Sequence, residues 1–395
     1  MAFADYQLYE PGELGVDVEL VEKLHARMLH ALESGPLPSL QYALARNDKL
    51  IAARTLGDVS QCDVTQGVPA LGPRYNIFSC TKPLVAAAIW QLLGEGELNL
   101  EQPVAHYLPE FAENGKGAVT VEHVLCHTSG FPNAPMNDPQ WFSSATRREQ
   151  MRQWHLDWEP GTRCVYHALS AHWVLAELIE AVKGVSFTHY IQDNIVKPLG
   201  LSALRLGVPE DEQGDIAPLQ TVGEPPTPKE IEKVFGRAME WPAFDDASAL
   251  MFERSEVRAL GIPGGGAISN AADVALFYQA MMHNAQSLWD ERVLADAVGT
   301  VRVDFEDPMT GAPANRGLGV VIAGSGKYLP YRGMGQHVGP RAFGHQGIGG
   351  QAAWGDPDSG LSFCILTNGM DANPLRSARL CAAASNRAGA CVPLS

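Results

Sequence analysis

From Asp17 onward, Leu20, Val21, Leu24, Met28 and Leu32 fall on one side of a helical period, and Gly35 follows. Residues three and four apart share a helix face, so this spacing predicts an amphipathic helix capped by Asp17 and ended at Gly35. The pattern then changes period. Leu40 to Ala45 and Leu50 to Leu56 read as two strands, with the hairpin signal Arg46-Asn47-Asp48-Lys49 between them. Leu84, Val85, Ala88, Ile89, Leu92 and Leu93 form the most apolar helical stretch, expected to be a core helix ending at Gly94 or Gly96. Further helices are predicted over Val119 to Cys126, Ala171 to Val182 and Ala271 to His283. Between Gly207 and Pro228 proline, glycine and acidic residues accumulate, which predicts an exposed loop.

After Asn315 strand patterns return: Leu318 to Ala323, then Ala352 to Gly355 and Leu361 to Thr367 around the turn Asp356-Pro357-Asp358-Ser359-Gly360. A closing helix carries Leu375, Ala378 and Leu380. The expected class is α/β in the α+β sense, an antiparallel sheet flanked by helices. The sheet is built from both chain ends, residues 1–75 and 300–395, and a mainly α-helical domain is inserted over residues 76–299. A cleft between the two is the expected ligand site.

Composition narrows the function classes. A chain of 395 residues is too long for one ordinary core and suits two domains. With 46% hydrophobic and 19% charged residues it reads as globular, neither disordered nor fibrous. The net charge of −16 disfavours a nucleic-acid partner, because phosphate neutralisation needs clustered lysine and arginine. No apolar run approaches the roughly 20 residues that cross a bilayer, so no membrane span is expected. Met1 to Gly15 carries Asp5, Glu10 and Glu13 and lacks the basic start and apolar core of a secretory signal. Seven cysteines without Cys-x-x-Cys spacing read as reduced thiols, so a cytoplasmic location is expected.

The candidate chemistry begins in Phe78-Ser79-Cys80-Thr81-Lys82-Pro83, where a loop enters the apolar helix. A serine three residues before a lysine shares its helix face, so the Ser79 hydroxyl and the Lys82 amine can meet. No other lysine in the chain has a serine three residues upstream. A neutral amine can take the serine proton as attack begins. Lysine ordinarily titrates near roughly 10.4, but burial and a helix N-terminus both favour its neutral form. Ser-x-x-Lys alone is a short pattern, and a serine opening a helix is ordinarily an N-cap.

Two further segments change the weight of that pattern. Pro160-Gly161-Thr162-Arg163-Cys164-Val165-Tyr166-His167-Ala168 runs into a helix, and a tyrosine held beside Ser79 can relay a proton to a leaving group, as phenolate or through Lys82. Phe343-Gly344-His345-Gln346-Gly347-Ile348-Gly349-Gly350 is a glycine-rich edge-strand candidate whose backbone can approach a ligand. One of its amides, paired with that of Ser79, can form an oxyanion hole. The aromatic residues Trp141, Phe142, Trp154 and Trp158 are candidates for an acyl pocket or for core. Tyr328, Tyr331 and Trp354 are candidates for the cleft edge.

Together these segments resemble the serine β-lactamase and penicillin-binding-protein superfamily, in the branch of class C β-lactamases, D-amino-acid peptidases and β-lactamase-like carboxylesterases. The resemblance runs from Leu40 to Asn368. It includes the framing stretches Leu125-Cys126-His127-Thr128-Ser129-Gly130-Phe131-Pro132, Pro263-Gly264-Gly265-Gly266 with Ser269 and Asp273, and Trp354 to Asn368. It implies Ser79 as nucleophile, Lys82 as general base, Tyr166 as their partner, and an oxyanion hole of the Ser79 and Ile348 amides. The family's Tyr-x-Asn falls on Tyr166-His167-Ala168, which lacks the asparagine. Its Lys-Thr-Gly falls on His345-Gln346-Gly347, the expected substrate-binding residues, with His345 expected to be partly cationic.

Those departures remove polar partners for a β-lactam's side chain and carboxylate, and point to a small-molecule ester as substrate, with β-lactam or D-amino-acid peptide chemistry as the alternative. No cofactor or metal is expected. His123 and His127 have ligand spacing but no accompanying His-Glu-x-x-His. Neither a Gly-x-Ser-x-Gly elbow nor a phosphate-binding loop is present. A catalytically silent binding protein is the rival of another class.

Overall fold

The computed structural model describes residues 6–62, 72–236, 250–308 and 310–393. Helix α1 (Val18–Ser34) starts where its cap predicts, with the Asp17 carboxylate accepting the Leu20 N–H at 3.1 Å. Strands β1 (Ser39–Arg46) and β2 (Lys49–Gly57) follow. Asn47 and Asp48 take positive φ of 51° and 63°, which a two-residue hairpin turn requires and these residue types tolerate. The short strands β3 (Tyr75–Asn76), β4 (Arg205–Leu206) and β6 (Ala267–Ser269) pair in the order β3-β6-β4.

The main sheet is antiparallel. It joins β1 and β2 to β7 (Val321–Ile322), β8 (Phe343–Gln346), β9 (Ala352–Asp356) and β10 (Leu361–Thr367), in the order β2-β1-β10-β9-β8-β7. It therefore comes from both ends of the chain. Alternation sorts its residues: Leu40, Tyr42 and Leu44 pack with Phe363 and Ile365 against α1 and the closing helix, while Ala43, Ala45, Cys364 and Leu366 face the other core. Small residues on that second face admit a helix over Ala271–His283, which packs on β1, β9 and β10. That helix and α2 (Lys82–Gly94) are buried almost all round, so neither needs an amphipathic stripe. Further along, α3 (Ser170–Lys183) packs on α2, α4 is the Ala271–His283 helix, and α5 (Pro374–Gly389) closes the chain against α1.

Four expectations need correction. The stretch from Gly207 to Pro228 is not a plain exposed loop: Gln220–Val222 forms β5, parallel to β11 (Gly369–Asp371), and Asp215 is buried in an ion pair with Arg74 at 2.6 Å. The strand expected from Leu318 shrinks to the two residues of β7, and the helix from Val119 to Val121–Leu125. Trp354 does not edge a cleft. It stacks on Phe363 at 5.7 Å, beneath α5, and its indole donates to Ser385 Oγ at 3.1 Å. Among the described residues no helix is long and apolar enough to cross a membrane.

Candidate active site

Ser79 lies in a tight helical turn, Phe78–Thr81, that leads directly into α2. Phe78 has a positive φ of 44°, uncommon for a bulky side chain and worth strain energy unless the surroundings enforce it. Its N–H is held by Asn76 Oδ1 at 2.8 Å, and its ring packs edge-on against Phe252 at 5.4 Å. The turn leaves Ser79 half-buried while everything around it is enclosed.

Lys82 enters the same space from the first turn of α2. Its side chain is fully buried, and Nζ has three oxygen neighbours: Ser79 Oγ at 3.0 Å, Ala168 O at 2.8 Å and Gly264 O at 2.6 Å. A neutral amine has two hydrogens and one lone pair. The two carbonyls can only accept, so they take both hydrogens, and the lone pair is left for the hydroxyl of Ser79. Burial first, then the Arg316 charge, pushes the Lys82 pKa well below the ordinary lysine value, with the nearby Cys80 acting weakly the other way.

Tyr166 comes from the loop before α3, pinned where Val165 N–H donates to His127 O at 3.3 Å and His167 N–H to His127 Nδ1 at 3.1 Å. Its hydroxyl donates to Ser79 Oγ at 2.8 Å. Burial raises its pKa to about 12, with the Ser79 hydrogen bond opposing, so at neutral pH it is a phenol rather than a phenolate. Ser79 Oγ can thus accept from Tyr166 while donating to Lys82.

The third segment is β8. Cys80 Sγ donates to His345 O at 3.3 Å, and a Cβ on Gly347 would come within 2.9 Å of Ile77 O, so strand and nucleophile turn are in direct backbone contact. Strand β7 ends opposite Gly344, which leaves His345 to Ile348 unpaired on that side. Gly347 N–H is committed to Gln351 O at 2.8 Å, and the Ile348 side chain projects outward, 63% exposed. The expected partial charge on His345 is a further correction. The ring is buried, with Tyr166 at 5.9 Å and Nδ1 at 2.7 Å from Gln346 O; burial first, and with it the Arg316 charge, pushes its pKa well below the usual range. It is neutral because packing removes its hydration.

Trp141 and Trp154 belong to the core, with indole N–H groups on Met136 O and Pro135 O at 2.7 Å each, whereas Phe142 is exposed. The candidate ligand pair His123 and His127 is split: His123 Nδ1 accepts the Thr120 N–H at 3.2 Å, and His127 turns inward with φ of 59°. Three contributors escaped sequence reasoning. Two are the Ala168 and Gly264 carbonyls; the glycine at 264 was the available signal, since a Cβ there would sit 2.9 Å from Ala168 O. The third is Arg316, whose guanidinium lies 5.4 Å from the Tyr166 ring centroid and which no motif marks.

Known proteins share this architecture. Esterase/beta-lactamase LipL of Mycobacterium tuberculosis (strain ATCC 25618 / H37Rv) is 26% identical over 309 residues, covering 74% of this chain and 68% of that protein. A novel penicillin-binding protein homolog from Caulobacter crescentus superposes with a TM-score of 0.73 at 25% identity, covering 94% of this chain and 98% of the other. EstA from Arthrobacter nitroguajacolicus Rue61a superposes with a TM-score of 0.75 at 22% identity, over 97% and 98% of the two chains, a likeness of fold. The sequence pattern of the family described as Beta-lactamase matches residues 23–385, and the chain therefore belongs to that family, within a superfamily of serine hydrolases that includes esterases and peptidases.

Proposed function

We propose that this chain is a serine esterase that cleaves carboxylic esters through an acyl-enzyme on Ser79. The observation that carries the reading is the set of contacts around Lys82 Nζ: two carbonyls that only accept, and one hydroxyl that can donate. In the first step Ser79 Oγ attacks the ester carbonyl and its proton passes to Lys82. The resulting ammonium has three hydrogens for three oxygens, so the site accommodates the charged lysine without rearranging. The amides of Ser79 and Ile348 hold the developing oxyanion, each such donor worth about 3 kcal/mol. Lys82, with the Tyr166 phenol beside it, returns the proton to the leaving alkoxide. Water then repeats the sequence on the acyl-enzyme.

Esters are favoured over β-lactams and D-alanyl peptides because the positions that would hold an amide side chain and a carboxylate offer little. Ala168 has no polar side chain, and His345 is buried and uncharged at neutral pH. A substrate carboxylate entering there would lose water without gaining a cation. The test compares short-chain p-nitrophenyl esters, a chromogenic cephalosporin and a D-alanyl peptide on one enzyme preparation. Esters are expected to turn over fastest, with a fluorophosphonate mass shift located on Ser79. Faster cephalosporin or peptide cleavage would reverse the substrate assignment, and an unlabelled Ser79 would remove the mechanism.

A further inference from the structure

Two basic side chains approach one aromatic ring. Lys82 Nζ lies 4.9 Å and Arg316 Cζ 5.4 Å from the centroid of Tyr166, the residue whose hydroxyl touches Ser79. Arg316 is half-buried, its Nε is buried without a hydrogen-bond partner, and among the described residues no carboxylate forms an ion pair with it. Its side-chain partner there is the Cys164 thiol, which is neutral because burial raises its pKa, so the guanidinium keeps its charge beside the ring. Arginine does not release its proton in proteins, whereas a buried lysine does so readily. We propose that Arg316 is a positioning residue of this site: a permanent cation that steadies the Tyr166 ring and disfavours a second charge beside it, so that Lys82 rests as the free amine between proton transfers. The proposal rests on the reading of Ser79 and Lys82 given under Proposed function.

Among the described residues, the surroundings offer no alternative source of charge. The titratable groups facing Lys82 and Tyr166 are Cys80 from the nucleophile turn, His127 and His167 from the flanking loops, His172 from α3 and His345 from β8. Burial lowers each of these histidines, His167 to about 4 and the others well below the usual imidazole range, and raises Cys80, so all five are neutral near neutral pH. Asp307 acts on Cys164, on the Arg316 side, and is not among the groups acting on Lys82. Among the described residues, Arg316 is thus the one charged side chain acting on the amine. Its effect has a definite sign: a fixed positive charge disfavours the ammonium, and its removal lets Lys82 hold its proton to higher pH.

The experiment reads kcat/KM against pH on a p-nitrophenyl ester for the wild type, Arg316→Gln and Arg316→Lys. Because the free amine is the active form, the acid limb marks Lys82. Arg316→Gln is expected to move that limb upward by about one pH unit. Turnover falls on the acid side of the displaced limb, recovers above it, and leaves KM little changed. Arg316→Lys, whose amine can itself release its proton beside Lys82, is expected to move the limb upward by no more than Arg316→Gln does. If Arg316 only braces the loop, Arg316→Gln lowers the rate equally at every pH and the limb stays still, which overturns the proposal. A limb displaced further in Arg316→Lys than in Arg316→Gln overturns it too. Should Arg316→Gln not fold, Arg316→Met, which keeps an apolar stem against the ring, is read in its place. Fluorophosphonate labelling separates the two levels. With Ser79 labelled and the limb unmoved, only the role of Arg316 fails; with Ser79 unlabelled in the wild type, the esterase reading itself fails.

Discussion

Lys82 and Lys116 are both fully buried side chains whose amines face oxygen and lie over an aromatic ring, yet the structure equips them for opposite work. Lys116 Nζ donates to Glu113 O at 2.6 Å, Arg152 O at 3.1 Å and Trp154 O at 2.5 Å. Three carbonyls need three hydrogens, so this pocket is built for an ammonium, and the Glu113 charge supports it. Lys82 meets two carbonyls and a hydroxyl, and the nearby charge is that of Arg316. Burial lowers both pKa values, Lys116 to about 8 and Lys82 well below the ordinary lysine value. Burial alone therefore does not make a base. The chemistry of the third partner and the sign of the neighbouring charge decide whether a buried lysine ties loops together or accepts a proton.

The strongest way to break this comparison is to remove both amines in turn. Lys82→Met is expected to lower kcat by about 10⁴-fold, the upper range for losing a general base. Lys116→Met is expected to leave turnover per folded molecule nearly unchanged. Both variants orphan buried carbonyls, at about 1–3 kcal/mol for each unsatisfied group, so both should unfold at lower denaturant concentration. Stability does not separate the two lysines, but activity does. If Lys116→Met, folded by circular dichroism, lost turnover as deeply as Lys82→Met, the distinction drawn from their partners would fail.

A smaller effect sharpens the Lys82 side. Tyr166→Phe keeps the ring that both basic side chains approach and removes only the hydroxyl at 2.8 Å from Ser79. It is expected to lower kcat by about 10²-fold with KM little altered, since a proton donor to the leaving group acts in the transition state. A change confined to KM would make the hydroxyl a binding contact and leave Lys82 to work alone.

How far the sequence carried these contrasts depends on which atoms do the work. Ser79 and Lys82 were legible because three residues on a helix fix one face, and Tyr166 because its segment leads into a recognisable helix. The hairpin at Asn47-Asp48 and the cap at Asp17 were legible because they are local. Lys116 carried no signal: its segment matches no motif, and two of its three acceptors are backbone atoms of a distant helix end. Ala168 O and Gly264 O were hidden for the same reason, as every residue has a carbonyl. Arg316 meets Tyr166 only through the tertiary fold. His345 carries the residue type of a charged group, and only packing shows that it has no water to charge in. Trp354 was misread although period-two alternation was available: Ala353 faces the core shared with the helical middle of the chain, so its neighbour must face α5.

The smallest expected effect concerns pH and stability at Lys116. Its folded pKa, about 8, lies below the value of an unfolded lysine, roughly 10.4. Between those two values the unfolded chain holds a proton that the folded one has released, so stability rises with pH across that window and is level with respect to this group below it. Most of the intrinsic shift is desolvation, with Glu113 opposing it. Denaturation midpoints of the wild type and Lys116→Met, taken on both sides of the window, isolate the term: the wild type should gain on the variant as the solution becomes alkaline. A gap that stays constant, or narrows, would mean that the three carbonyls hold the ammonium so well that its proton is not lost there. Lys116 would then differ from Lys82 even more sharply than burial suggests, and burial could not be the common starting point of the two sites.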